Sequence, residues 1–136
     1  HEGVAVPGDA QINRWALKKQ TTDATAANLE CVAGTPPVIP VDTTWAFSAL
    51  IVARRTDVDG DNAAYRVEGC FNRNAGNTAA LVGTPTVTAL GASAGAATWT
   101  VTVNSFSVGT LRLIVTGEAA KTIRWMARLE ASSVSG

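Results

Sequence analysis

The sequence predicts an all-β domain, an antiparallel β-sandwich of jelly-roll-like form. Three observations carry that expectation. Apolar and polar residues alternate along most of the chain, the period of a half-buried strand. Clusters of Gly, Pro, Asn and Asp punctuate it at roughly the 8–12-residue spacing of stacked short strands. The 3.6-residue apolar period of an amphipathic helix is absent.

The strongest signal is the pair of segments between Trp45 and Asn74, WAFSALIVARRTDVDGDNAAYRVEGCFNRN. In the first, expected over about Thr43–Thr56, Trp45, Phe47, Ala49, Ile51 and Ala53 share a face. Ala46, Ser48, Leu50, Val52 and Arg54 share the other. Both faces are largely apolar, which predicts a central strand covered on two sides. Asp57-Val58-Asp59-Gly60-Asp61-Asn62 then reverses the chain, because Asp, Asn and Gly tolerate positive φ or bond their own backbone. The second segment, Asn62–Asn74, sets Tyr65, Val67, Gly69 and Phe71 against Arg66, Glu68, Cys70 and Asn72.

Upstream, alternation predicts a strand over Gln11–Thr21 and a short one over Asn28–Val32, with a helical turn at Asp23–Leu29 capped by Asp23. Downstream, Thr78–Val82 and Pro85–Leu90 read as two short strands broken at Gly83, and Gly91–Ala97 as a small-residue loop. Three strands close the chain: Thr98–Asn104 with Trp99, Val101 and Val103 on one face, Thr110–Thr116 with Leu111, Leu113 and Val115, and Thr122–Glu130 with Ile123, Trp125, Ala127 and Leu129 inward. All 136 residues are expected to form one domain, with residues 1–8 flexible or linking to an upstream region. The chain opens HEGVAV without an initiator Met, as a processed product or a piece excised from something longer would.

Composition narrows the function. Eleven basic and eleven acidic side chains cancel, and no basic cluster exists to neutralise phosphates, so nucleic acid is excluded as a partner. No apolar run reaches the ~20 residues of a membrane helix, and membrane insertion is not expected. Charged residues are 16 % of the chain, below the usual ~25 %, which is a sign of surface hidden between copies. Cys31 and Cys70 leave two readings open, a disulfide or two buried thiols.

Catalytic chemistry finds little footing. The single histidine is His1, so Ser-His-Asp and Cys-His nucleophile systems lack their base. Asp57, Asp59, Asp61, Glu68, Glu118 and Glu130 form no convincing acid–base pair, and the expectation is that the chain is not an enzyme. Asp57, Asp59, Asp61 and Glu68 stand at positions 1, 3, 5 and 12 of a calcium-loop pattern, but Gly60 is misplaced for it and both flanks are strands. No cofactor or metal is expected. Trp45, Trp99 and Trp125 alternate with the core, whereas Trp15 is the best candidate for an exposed, sugar-stacking aromatic. The candidate ligand residues are therefore Trp15, Asp57, Asp59 and Asp61; Arg54, Arg55, Glu68 and Arg73 are the candidate structural charge cluster.

The run WAFSALIVARRTDVDGDNAAYRVEGCFNRNAG, followed by TAALVGTPTVT, ATWTVTV and LRLIVTGEAAKTIRWMARLE, resembles a domain near the C-termini of tailed-bacteriophage tail fibres, tailspikes and related virion proteins. Upstream, PGDAQINRWALKKQTTDATAANL is similar to the same family, so the resemblance spans about Gly8 to Glu130. It implies a non-enzymatic β-sandwich in a homotrimer on the virion, extracellular when mature, meeting other virion proteins and a bacterial surface glycan. Loops 57–62, 74–78 and 91–97 are expected at one end, facing outward, and Ala- and Thr-rich faces between subunits. Two alternatives stand beside it: a capsid-decorating or head-fibre assembly module of a virus-like particle, and an accessory module of a carbohydrate-active enzyme. The chain departs from the family pattern at Cys31, at Cys70 and in the extra glycine of DVDGDN.

Overall fold

The chain alternates because it builds two facing antiparallel sheets, and each strand turns one set of side chains into the space between them. The computed structural model describes residues 10–32, 34, 37–75, 79–106 and 109–135. Within these the strands are β1 (Ala10–Thr21), β2 (Ala27–Asn28), β3 (Glu30–Cys31), β4 (Thr43–Arg55), β5 (Asn62–Arg73), β6 (Ala80–Ala92), β7 (Thr100–Phe106), β8 (Thr110–Thr116) and β9 (Ile123–Ser135). The larger sheet has the order β3-β1-β9-β4-β5-β6 and the smaller β2-β8-β7. The protein is all-β, as expected.

The core is the layer between the sheets. From β4, Trp45, Phe47, Ala49, Ile51 and Ala53 enter it, all at most 3 % exposed. β9 adds Ile123, Trp125, Ala127, Leu129 and Ala131; β5 adds Tyr65, Val67 and Phe71. Facing them, Trp99, Val101, Val103, Leu111, Leu113 and Val115 line the smaller sheet. Trp99 meets Trp125 with ring centroids 5.9 Å apart, a tilted contact that suits aromatic quadrupoles. The Trp125 indole N–H donates to Thr21 Oγ1 at 3.0 Å, so its polar edge is satisfied. Gly69 is needed where it lies, because a Cβ there would sit 2.9 Å from Phe47 Cζ.

Several boundaries differ from expectation. Residues 22–25 bend instead of forming a helical turn, because Asp23 Oδ1 accepts the Thr25 N–H and closes a local turn. The strand expected at Asn28–Val32 is split: β2 pairs with β8, and β3, two residues on, pairs with β1. The two strands expected either side of Gly83 are one strand, β6, which sits at the sheet edge and absorbs Gly83 (φ 75°) and Pro85 through register shifts. It also takes in Gly91 and Ala92, and a short 3₁₀ turn follows at Ala94–Ala96. β9 runs on past Glu130 to Ser135. β4 is central, but the smaller sheet covers only one of its faces; Ala46, Val52 and Arg54 on the other are exposed.

Antiparallel connections alternate between the two ends of the sheets. The 56–61 and 93–99 segments therefore share one end with 117–122, while the β5–β6 connection lies at the opposite end. The three loops expected together are thus divided, and residues 76–78 of the second lie outside the described residues, as do residues 1–8. Cys31 and Cys70 are free thiols, both half-buried, on β3 and β5 four strands apart.

Leu129 is fully buried at the centre of the layer. Leu129→Ala is expected to cost about 2–5 kcal/mol, read from the denaturant midpoint. Thr102→Ala, on the solvent face of the smaller sheet, is expected to change it by less than about 0.5 kcal/mol.

Candidate interaction surface

The outward face of the larger sheet is built from the other half of each alternation, and register sets what lies beside what. Leu50 of β4 pairs with Arg128 of β9 on one side and Arg66 of β5 on the other. Ala16 and Thr88 extend that rung onto β1 and β6. Two residues along, Ser48 pairs with Glu130 and with Glu68, and Arg14 and Thr86 complete the rung. A rung with two arginines thus lies next to a rung with two glutamates in the same strands. The four charges surround a shallow depression of about 250 Å³, floored by Ser48, Ala49 and Leu50.

Arg14 Nε donates to Glu130 Oε2 at 2.8 Å. The side chains of Arg66, Glu68 and Arg128 are exposed and make no hydrogen bond or ion pair among the described residues. Apolar side chains border the charges: Ile12, Val52, Val82, Met126 and Val134, between 44 % and 64 % exposed. Lys18, Arg54 and Arg124 line a second, broader groove of about 820 Å³ around Val52 and Met126. Among the described residues nothing covers this face.

A different arrangement occupies the loop end. Arg55 donates to both carboxylate oxygens of Asp57, at 2.8 and 3.0 Å, and to Asp61 at 3.3 Å. Lys121 pairs with Asp61 at 3.0 Å and Glu118 at 3.1 Å, and donates to the Gly95 carbonyl at 2.7 Å. Glu118 accepts from Thr98 Oγ1 at 3.2 Å and from the Trp99 indole at 3.3 Å. Asp57 also accepts the Thr122 N–H at 3.1 Å. The network therefore ties three loops together, and Gly95 must lack a side chain because Asp61 fills the space a Cβ would take.

Charge pairing shifts the carboxylates. The Arg55 guanidinium pulls Asp57 down to about 2 from 3.8, helped by the Thr122 amide. Lys121 holds Asp61 and Glu118 below the ordinary carboxylate range, and Asp61 raises Lys121 in turn.

The residues singled out in the sequence fall in several places. Asp57 and Asp61 are engaged by Arg55 and Lys121; Asp59 is 97 % exposed and meets Arg54 at 3.4 Å. Among the described residues no group of three or more His, Cys, Asp or Glu is placed to hold a metal. Trp15 stands on the inward face, partly buried and stacked on Trp45 at 5.1 Å, so it is not an aromatic held out in solvent. Arg54, Arg55, Glu68 and Arg73 are not one cluster. Arg55 belongs to the loop network, Glu68 to the outward face, and Arg73 donates to the Ile39 carbonyl at 3.0 Å at the other end. Sequence reasoning missed Lys121 as the network's second cation, and missed Arg66, Arg128 and Glu130 as neighbours of Glu68. Their outward alternation was visible; the register joining them was not.

No protein-family model matches this chain, and no curated protein matches it. Among solved structures, the fold is similar to part of a tailspike protein of Acinetobacter baumannii bacteriophage Fri1, a capsular polysaccharide depolymerase. The TM-score is 0.45 at 16 % identity, covering 96 % of this chain and 19 % of that one. It is also similar to part of the Acinetobacter phage vB_ApiP_P1 tailspike protein, at TM-score 0.45 and 11 % identity, over 99 % of this chain and 24 % of that one. The chain thus spans about a quarter or less of either protein. No described helix is long and apolar enough to cross a membrane.

Because folding depresses these carboxylates, their contribution is full above the unfolded values, 3.8 for Asp57 and Asp61 and 4.5 for Glu118, and fades as pH falls through the folded ones, about 2 for Asp57. The thermal midpoint is expected to fall across that window, and Arg55→Met is expected to flatten the acid limb.

Proposed function

We propose that this chain is a non-enzymatic structural module of a tailed-phage virion, a C-terminal module of a tail fibre or tailspike. In this reading it trimerises and supports attachment to a host-surface glycan. The observation that carries it is the uncovered face of the larger sheet, where five large apolar side chains border charges without described partners. A monomer gains nothing from such a face, whereas sister copies bury it. The family resemblance running through ARRTD, AAYR, NRNAG and VTGEAAKTIRW supplies the virion setting.

Attachment in this reading is passive. Any contact with glycan comes from exposed loops, weak in each copy and strengthened by three copies acting together. The loop network favours a stiff support over a reactive centre, because Asp57 and Asp61 are already neutralised by Arg55 and Lys121. The non-enzymatic role rests on that occupancy and on the lack of a placed histidine.

Light scattering or sedimentation is expected to give a particle of about 42 kDa, three times the 14.0 kDa chain. A monomer at micromolar concentration overturns trimerisation. Glycan-array or whole-cell binding separates attachment from a capsid-decorating role, which predicts none. Shortened polysaccharide chains after incubation overturn the non-enzymatic reading.

A further inference from the structure

We infer that the flank formed by β6 and β7 lies against the rotation axis of the assembly, packed on the same flank of sister copies. This deepens the oligomeric part of the function proposed above and rests on it. β6 also borders the outward face of the larger sheet, so the two surfaces are continuous.

From Asn74 to Leu111 the chain holds no Asp, Glu, Lys, Arg or His. At the chain's average of 16 % charged, those 38 residues would carry about six. The fold gathers the described part of this stretch on one side. β6 is the end strand of the larger sheet, β7 the end strand of the smaller, and β7 packs over β5 and β6. Charges resume one strand further in, with Arg66 and Glu68 on β5 and Arg112 on β8. They resume also at the two ends, with Arg73 at one and Asp61, Glu118 and Lys121 at the other.

β6 overhangs the smaller sheet. Eleven of its 13 residues are exposed. Val87 pairs with Val67, which is fully buried, yet Val87 itself is 44 % exposed. Val82 and Leu90, at 55 % and 48 %, extend the uncovered apolar surface. Exposed edge strands are ordinarily guarded by Lys or another charge, and none guards this one. Pro85 has no N–H to donate, and with Gly83 and two register shifts it keeps a further strand from extending the ladder. A neighbour therefore meets β6 through side chains.

Symmetry names the occupant. A residue beside a rotation axis meets its own copies, so any charge there faces the same charge, which is strongly unfavourable. A surface on the axis is therefore favoured without charge, whether two copies or three surround it. A different protein or a charged ligand sets no such condition, because it can supply the opposite sign. A flank emptied of both signs thus fits sister copies.

Val87 and Ala89 are exposed, so a charge placed there leaves the fold in place; unchanged circular dichroism and thermal unfolding at dilution check this. Sedimentation across a concentration series is expected to show that Val87→Lys, Val87→Glu and Ala89→Lys each weaken association at least about tenfold. Asn28→Lys, exposed on β2 at the opposite flank, is expected to leave association unchanged. Mixed in equal amounts, the Val87→Lys and Val87→Glu chains are expected to associate more tightly than either alone, because opposite charges then meet at the axis. Variants of β6 that associate like the parent overturn the assignment of the flank, and a mixture no tighter than its components overturns the axis. Loss of association on Asn28→Lys places the contact on the other flank and overturns both. If the parent is a trimer insensitive to charge on β6, the inference falls and the trimer stands. If it is a dimer that such charge breaks, the flank stands and the trimer falls. A monomeric parent leaves the flank to a different partner and overturns both readings.

Discussion

The insertion of β9 between β1 and β4 is the constraint on which the rest of the structure depends. β9 pairs with β1 from Ala10↔Val134 to Thr21↔Ile123, and with β4 from Thr43↔Ser135 to Arg55↔Ile123. The last strand thus closes a sheet begun by the first described one. Both ladders follow a strict two-residue period, and a slip of one residue would turn Trp125 and Leu129 out to water and bring Arg124 and Arg128 in. The buried tryptophans therefore hold the register, and the register places every charge on the opposite face. The β1–β9 pairing joins residues more than a hundred positions apart, so loop closure precedes any gain from it, and slow folding follows.

That dependence explains what was legible in the sequence. β4, β5 and β8 were readable to within about a residue because large apolar side chains mark most of their inner faces, with only Ala49, Ala53, Ala63 and Gly69 among them. β9 was cut short at Glu130 because Ala131, Ser132 and Ser133 are small and weakly strand-forming; pairing with β4 holds them extended. β6 was divided because glycine and proline usually end strands, a rule that an edge strand escapes. β4 has two apolar faces, which local sequence cannot distinguish from burial on both sides. The outward rungs were illegible for a deeper reason: residues 16, 50, 66, 88 and 128 become neighbours only through four ladders, each set by turns and core packing at a distance.

The aspartates of the turn show how the same chemistry changes meaning once cations are placed. Three carboxylates within five residues read as a calcium loop or as a soluble turn. Arg55 leaves the end of β4 on the same side as Asp57 and Asp61, and Lys121 arrives from the β8–β9 connection. Their side chains are 18 % and 15 % exposed, so the pairs are partly shielded from water and stronger than surface bridges. The loops at this end are consequently bound to one another. Only Asp59, fully out in solvent, keeps the freedom that the sequence suggested for the whole turn.

The edges of the larger sheet and its outward face differ in how open they are. Open sheet edges invite pairing without register control; here β6 is kinked at one edge, and at the other β3 is two residues long and pairs only with Leu17 and Lys18 of β1. The broad face carries no such protection. Its apolar residues alone would favour association in many orientations, since apolar contact is non-directional. An arginine rung beside a glutamate rung makes the face uneven in charge, so orientations of any apposed surface differ in cost by which charges they oppose. Under the copy-to-copy contact proposed above, charge would thus choose among orientations and apolar area would supply the driving force.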